Sequence, residues 1–170
     1  MALQKERDNL SIEQLRELLS YDPETGIFHW AKKNGKIYRY GKIAGTKNSQ
    51  GYCQIMIDLI IYRAHRIAWA YVTGEWPQHE IDHINGDRLD NRFVNLRKAT
   101  RWQNAVNQGQ RKNNTSGYKG VTWHSQAKKW AARIMVNRKS IRLGLFDDPK
   151  EAYAAYCTAA IFYFGEFARV

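Results

Sequence analysis

Residues 76–91 read WPQHEIDHINGDRLDN, and two incompatible local folds can be laid over them. His79, Glu80 and His83 fit the H-E-x-x-H pattern, in which a helix presents two zinc-binding histidines on one face with a glutamate base beside them. That reading needs a helix. Pro77 precedes the pattern and Asn85-Gly86 follows it, leaving room for about two turns. A third ligand is also expected downstream, yet the next glutamate after Glu80 is Glu151. The other reading is a short strand from Glu80 to His83, ending in a carboxylate and an imidazole and closed by the turn Asn85-Gly86-Asp87. We expect the strand, which leaves His79 in solvent and sets Asp82 and His83 side by side.

Adjacent Asp82 and His83 suit phosphodiester hydrolysis. The reaction needs a base to deprotonate water and a hard cation to neutralise charge building on the phosphate and the leaving oxygen. An imidazole with a pKa near 6.5 serves as the base, and an aspartate oxygen suits Mg²⁺ or Mn²⁺. A second oxygen ligand has to come from elsewhere. The helical segment expected after Thr100 offers Asn104, Asn107 and Gln108.

Working outward, Ser11-Ile12-Glu13-Gln14 has the form of a capping box, and Ile12, Leu15, Leu18 and Leu19 follow at helical spacing. Asp22 to Gly26 reads as a turn leading to a strand through Ile27, Phe28 and Trp30, and a basic, glycine-punctuated run spans Lys32 to Lys47. Tyr52 to Ile57 and Ile60 to Arg63 read as paired strands joined at Asp58-Leu59, an unusual tight turn because no glycine supplies a positive φ. His65 to Val72 reads as a helix stopped near Gly74. The polar stretch from Gln108 to Gly117 has almost no apolar residue and reads as a linker.

Beyond the linker, strand-like pieces at Gly120–His124, Trp130–Val136 and Ser140–Leu145 precede Pro149 and a helix from Lys150 to about Phe164. Their spacing suits a three-stranded sheet covered on one face by a helix whose stripe is Ala152, Ala155, Tyr156 and Ala159. The free face would show Arg133 and Met135, joined by Lys119, Thr122, His124 and Arg142. Such a basic sheet can enter a DNA major groove, or its charges can simply solvate an outer face.

Composition agrees with folded, anion-binding units. Hydrophobic residues make up 44% of 170 and aromatics 13%, too many for a disordered chain. The net charge of +11 favours polyanionic partners. Lys and Arg exceed Asp and Glu by 9 to 4 over 113–170 and by 18 to 12 over 1–112, so charge is denser at the C-terminal end. No apolar run approaches the roughly 20 residues of a membrane span, and the charged start MALQKERDN has no apolar signal core, which points to nucleic acid in the cytoplasm over a membrane. Cys53 and Cys157 stand apart without a C-x-x-C partner and read as core residues.

The run YRAHRIAWAYVTGEWPQHEIDHINGDRLDNRFVNLRKATRWQNAVNQ, with the chain before it from about Tyr21, resembles the HNH, or ββα-metal, nucleases of phage homing-endonuclease type. The resemblance implies that His83 is the general base and that Asp82 and Asn104 share a single divalent cation. It implies that Asn95 braces the loop and orients the base. The family usually has His where this chain has Asn104, which shifts the expected ion from zinc toward Mg²⁺ or Mn²⁺. Arg66 and Arg97 either clamp a phosphate or pair with the domain's acids, and we count both among the expected DNA contacts. His65 either packs in the core against Trp69 or lies near the metal and phosphate. Asn85, Asp87, Asp90 and Asn91 are expected to shape turns.

From SGYKGVTW to GEFA the chain resembles the Apetala-type, or ethylene-response-factor, DNA-binding domain, with Gly120-Val121, Trp130-Ala131-Ala132, Leu143-Gly144-Leu145-Phe146 and Glu151-Ala152 as landmarks. Thr122 and His124 stand where that family often has arginine, so sequence preference does not transfer. The expectation is an α+β chain with a nuclease domain at 1–108, a linker at 109–117 and a DNA-binding domain at 118–170. It would cut double-stranded DNA with one divalent cation in the host cytoplasm and require no protein partner. A rival of another class is a DNA-binding regulator carrying an inactive nuclease scaffold; a third is a protein that binds or cuts RNA.

Overall fold

A computed structural model describes residues 10–31, 40–110 and 113–170. The charged start, residues 32–39 of the basic run and Arg111-Lys112 of the expected linker lie outside the described residues. The architecture is α+β, with small antiparallel sheets and few helices. By contact the chain divides into two units, 1–100 and 101–170.

In the first unit Ser11 caps helix α1 (Ile12–Leu18): its Oγ accepts from the Gln14 N–H at 3.2 Å, and Gln14 Oε1 accepts from the Ser11 N–H at 3.1 Å. Leu19 does not extend the helix as its spacing suggested. It opens strand β1 (Leu19–Asp22), and both roles bury it, because an apolar side chain next to a core satisfies helix and strand periodicity alike. β1 pairs with β2 (Ile27–Trp30), which pairs in turn with β3 (Ile43–Ala44). A second sheet joins β4 (Thr46–Lys47), β5 (Cys53–Ile57) and β6 (Ile60–Arg63). Its hairpin turns at Asp58 and Leu59 with φ of +47° and +65°, the doubly positive conformation of a type I′ turn carried without glycine.

Helix α2 (Ala64–Thr73) follows β6 directly and stops at Gly74, whose φ of +79° closes it. Leu15, Leu19, Phe28, Ile55 and Ile67 are fully enclosed at the centre of this unit. Each such side chain contributes about 1.5–3 kcal/mol by leaving water. Against α2 lies a two-stranded ribbon, β7 (Glu80–His83) with β8 (Leu96–Ala99), in the register Asp82 to Arg97 and His83 to Leu96. The H-E-x-x-H letters therefore sit on a strand, with His79 exposed beside it. The β8 strand has no signal of its own in the sequence reading.

The second unit begins with the short helix α3 (Arg101–Val106). Strands β9 (Val121–His124), β10 (Lys129–Val136) and β11 (Lys139–Phe146) form an antiparallel sheet in the order β11-β10-β9, covered by α4 (Pro149–Phe164). Val121, Ala132 and Ile134 meet Ala152, Tyr156 and Ala160, so the buried helical stripe runs at every fourth residue. Gly120, at φ +75°, lies under the Tyr156 ring: a Cβ there would meet Tyr156 Cδ2 at 2.1 Å. Among the described residues no helix is long and apolar enough to cross a membrane.

Candidate active site

The β7–β8 ribbon fixes the chemistry-bearing pair. Because Asp82 and Arg97 are cross-strand partners, the guanidinium lies over the carboxylate, and Nε and a terminal nitrogen both donate to Asp82 Oδ2 at 3.0 and 2.9 Å. Both side chains are nearly enclosed, 8% and 12% exposed for Asp82 and Arg97. A buried carboxylate is tolerated only with such compensation. The next residue, His83, is 4% exposed.

From His83 the chain enters a loop in which side-chain amides and carboxylates add to backbone hydrogen bonds such as Ile84 N–H to the Asn95 carbonyl and Gly86 N–H to the His83 carbonyl, each at 2.8 Å. Asn95 is its brace: Oδ1 accepts from the Asn85 N–H at 3.0 Å, and Nδ2 donates to Asn85 Oδ1 at 3.0 Å and to the Asp90 carbonyl at 2.8 Å. Asp90 in turn accepts from Asn85 Nδ2 at 2.8 Å and from Arg92 at 2.7 and 2.6 Å. The Arg92 hydrogen bonds, against some desolvation, hold the Asp90 carboxyl down at about 2.

Asn91 sets the tautomer of His83. Its Nδ2 donates to the Leu89 carbonyl at 3.0 Å, so its Oδ1 faces His83 Nε2 at 3.3 Å as an acceptor. Nε2 then carries the proton and Nδ1 the lone pair. Burial lowers the His83 pKa, opposed by Asn91 and by Asp82, Asp87 and Asp90, so the imidazole is mainly neutral at pH 7. A neutral imidazole in a fixed tautomer is the form that can accept a proton from water.

Two more rings pack against His83. His65 meets His83 edge-on, ring centroids 4.9 Å apart, and Tyr52 stands 5.4 Å from His65 and 6.1 Å from His83. His65 is buried, and among the described residues its Nδ1 has no hydrogen-bond partner. Burial, with His83 and two arginines nearby, pushes its pKa well below the usual imidazole value. His65 thus lies in the interior with its ring against His83.

Three expected DNA contacts are held by internal acceptors. Arg66 donates to the carbonyls of Pro77 at 3.0 Å and His79 at 3.3 Å, pinning the approach to β7, and Arg97 serves Asp82. Lys119 Nζ donates to the carbonyls of Val106 at 2.8 Å and Arg169 at 3.3 Å, and burial pushes its pKa down to about 8. The other four lie along the second unit's sheet. Thr122, Arg133 and Arg142 are exposed, Arg133 and Arg142 are paired across β10 and β11, and His124 Nδ1 accepts from the Ala127 N–H at 3.2 Å. Asn104 lies half-buried on α3 in the second unit, whereas Asp82, His83 and Asn95 lie in the first.

Among the described residues no three His, Cys, Asp or Glu side chains cluster as a metal cage. The hard donor at the strand end is the Asp82 carboxylate. One carboxylate suits an ion that keeps several water or phosphate ligands, as Mg²⁺ does, and by itself does not make a closed zinc site. Sequence reasoning missed Asn91 as the partner of His83 and Tyr52 as its neighbour. Asn91 has turn chemistry that hides a second role, and Tyr52 reaches the site from another sheet, which no local pattern announces.

Residues 62–106 match the family model described as HNH endonuclease, and residues 116–166 match the AP2 domain. The two-part resemblance holds, in the order the sequence implied. A curated relative, "Protein 3.8" of Escherichia phage T7, is 35% identical over 78 residues, which cover 45% of this chain and 64% of the relative. The match thus spans less than two thirds of that relative.

Proposed function

We propose that this chain, with its HNH-type segment followed by an AP2-type segment, is a metal-dependent endonuclease of phage homing type that hydrolyses duplex DNA. The observation that carries the reading is the buried Asp82-His83 strand end, with the carboxylate held by Arg97 and the imidazole tautomer set by Asn91. His83 Nδ1 takes a proton from water, the water oxygen bonds to phosphorus, and the P–O bond to the leaving group breaks. Arg97 keeps Asp82 aimed. Asn95 keeps the loop closed, so that Asn91 stays opposite His83. Asp82 and Asn104 would hold one Mg²⁺ or Mn²⁺, which when bound neutralises charge on the phosphate and the leaving oxygen.

In this reading the domains run 1–108 and 118–170 around a linker. The sheet face with Thr122, His124, Arg133 and Arg142 sits on the duplex, while Arg66 and Lys119 hold their own units together. The test is incubation of supercoiled plasmid with the full chain in Mg²⁺, in EDTA, and in EDTA with excess Mg²⁺ restored. Cleavage that stops with the chelator and returns with the ion is expected. Duplex binding without cleavage under all three conditions would identify a regulator built on an inactive scaffold, and preference for RNA over duplex DNA at matched salt would change the substrate.

A further inference from the structure

We propose that Arg63 and Arg88, both over the Tyr52 ring, form an anion clamp that grips backbone phosphate of the bound DNA beside His83. The inference rests on the nuclease reading and adds the groups that hold the substrate's charge. Both guanidinium carbons lie over the same ring, Arg63 Cζ at 5.0 Å and Arg88 Cζ at 4.7 Å from its centroid. That ring is the one packed 6.1 Å from His83.

The platform is built for position. Asn48 Oδ1 accepts from the N–H groups of Gln50 at 3.0 Å and Tyr52 at 2.9 Å, tightening the loop before β5. Gln50 then fixes both cations: its Oε1 accepts from Arg63 and its carbonyl from Arg88, each at 2.8 Å. The three chain segments that meet here are the β4–β5 loop, the end of β6 and the loop after β7.

Neither arginine has a carboxylate partner among the described residues, in contrast to Arg92 on Asp90 and Arg97 on Asp82. Among the described residues, Arg63 also keeps one terminal nitrogen enclosed with no acceptor. Two like charges on one ring, one of them with an unused donor, make a poor arrangement for stability alone. They make a good one for a phosphodiester anion, whose oxygens match the guanidinium fork and cancel the repulsion. Contact with the Tyr52 ring holds both guanidinium groups in place. Tyr52 is the positioning residue.

The experiment measures duplex affinity of the full chain against salt concentration in EDTA, and single-turnover cleavage in Mg²⁺, for Arg63→Gln, Arg88→Gln, Arg88→Lys and His83→Ala. Each Gln variant is expected to reduce the magnitude of the salt slope by about one and to slow cleavage about tenfold or more, while Arg88→Lys restores the slope. Thermal melting accompanies each variant. If Arg63→Gln does not fold, Arg88→Gln decides. A wild-type slope and rate in folded Arg88→Gln, with His83→Ala inactive, overturns the clamp and leaves the nuclease reading intact. Full cleavage by His83→Ala overturns His83 as the base, and no cleavage by the wild type in Mg²⁺ overturns the nuclease reading, whereas the slope in EDTA still reports on the clamp.

Discussion

At the scale of single residues, Asp82 and His83 are neighbours in sequence whose partners are not. Asp82 and His83 could be singled out because a carboxylate and an imidazole at a strand end have few structural uses. Asn91 could not, since Asn before Arg in an Asn/Asp-rich loop reads as a turn former. Its role is visible only once its amide is seen between the Leu89 carbonyl and His83. Replacing Asn91 with Leu should remove the acceptor that fixes the tautomer and slow cleavage about 10²-fold or more with little loss of duplex binding, as measured by single-turnover kinetics beside a binding titration. Asp90 makes a pH-dependent contribution. Its folded pKa of about 2 lies below the unfolded carboxylate value near 3.9, so the stability it adds is present above about pH 4 and lost as pH falls through 2. Melting of Asp90→Asn should lie below wild type at pH 6, with the gap closing from pH 4 downward. A gap constant with pH would contradict that assignment.

At the scale of elements, the deciding question was helix or strand for residues 80–83, and the flanking Pro77 and Asn85-Gly86 settled it in favour of a strand. The partner strand was harder to read. Leu96-Arg97-Lys98-Ala99 is too short and too charged to look like a strand, and it becomes one because β7 lies alongside. Leu19 shows the same limit: burial told where it lies and not which element carries it. The ribbon's central contact predicts its own fragility. Arg97→Leu leaves Asp82 buried without its cation and should cost about 3–5 kcal/mol, read from urea unfolding of the first unit. In the second unit, Gly120→Ala forces a Cβ into the Tyr156 ring at a positive φ, and should lower that unit's melting temperature by several degrees or more.

At the scale of the whole molecule, charge and composition announced a polyanion partner, and two resemblances divided the work between a cutting unit and a binding unit. The surface chemistry within each unit was less legible. Alternation along β10 and β11 was enough to put Arg133 and Arg142 on one exposed face. The carbonyls that take up Arg66 and Lys119 belong to a loop, to the last residue of α3 and to the C-terminal segment, which periodicity does not see. Arg133→Ala and Arg142→Ala should each weaken duplex binding and reduce the magnitude of the salt slope by about one, with the cleavage rate of the bound complex little changed. Equal slopes in wild type and both variants would move the DNA surface elsewhere. The central claim, that His83 is the base of a DNA-cutting site, is tested most directly by single-turnover cleavage of plasmid in Mg²⁺ by His83→Ala at enzyme concentrations that saturate binding. The account predicts a loss of about 10²- to 10⁴-fold with duplex affinity retained, and a wild-type rate would contradict it.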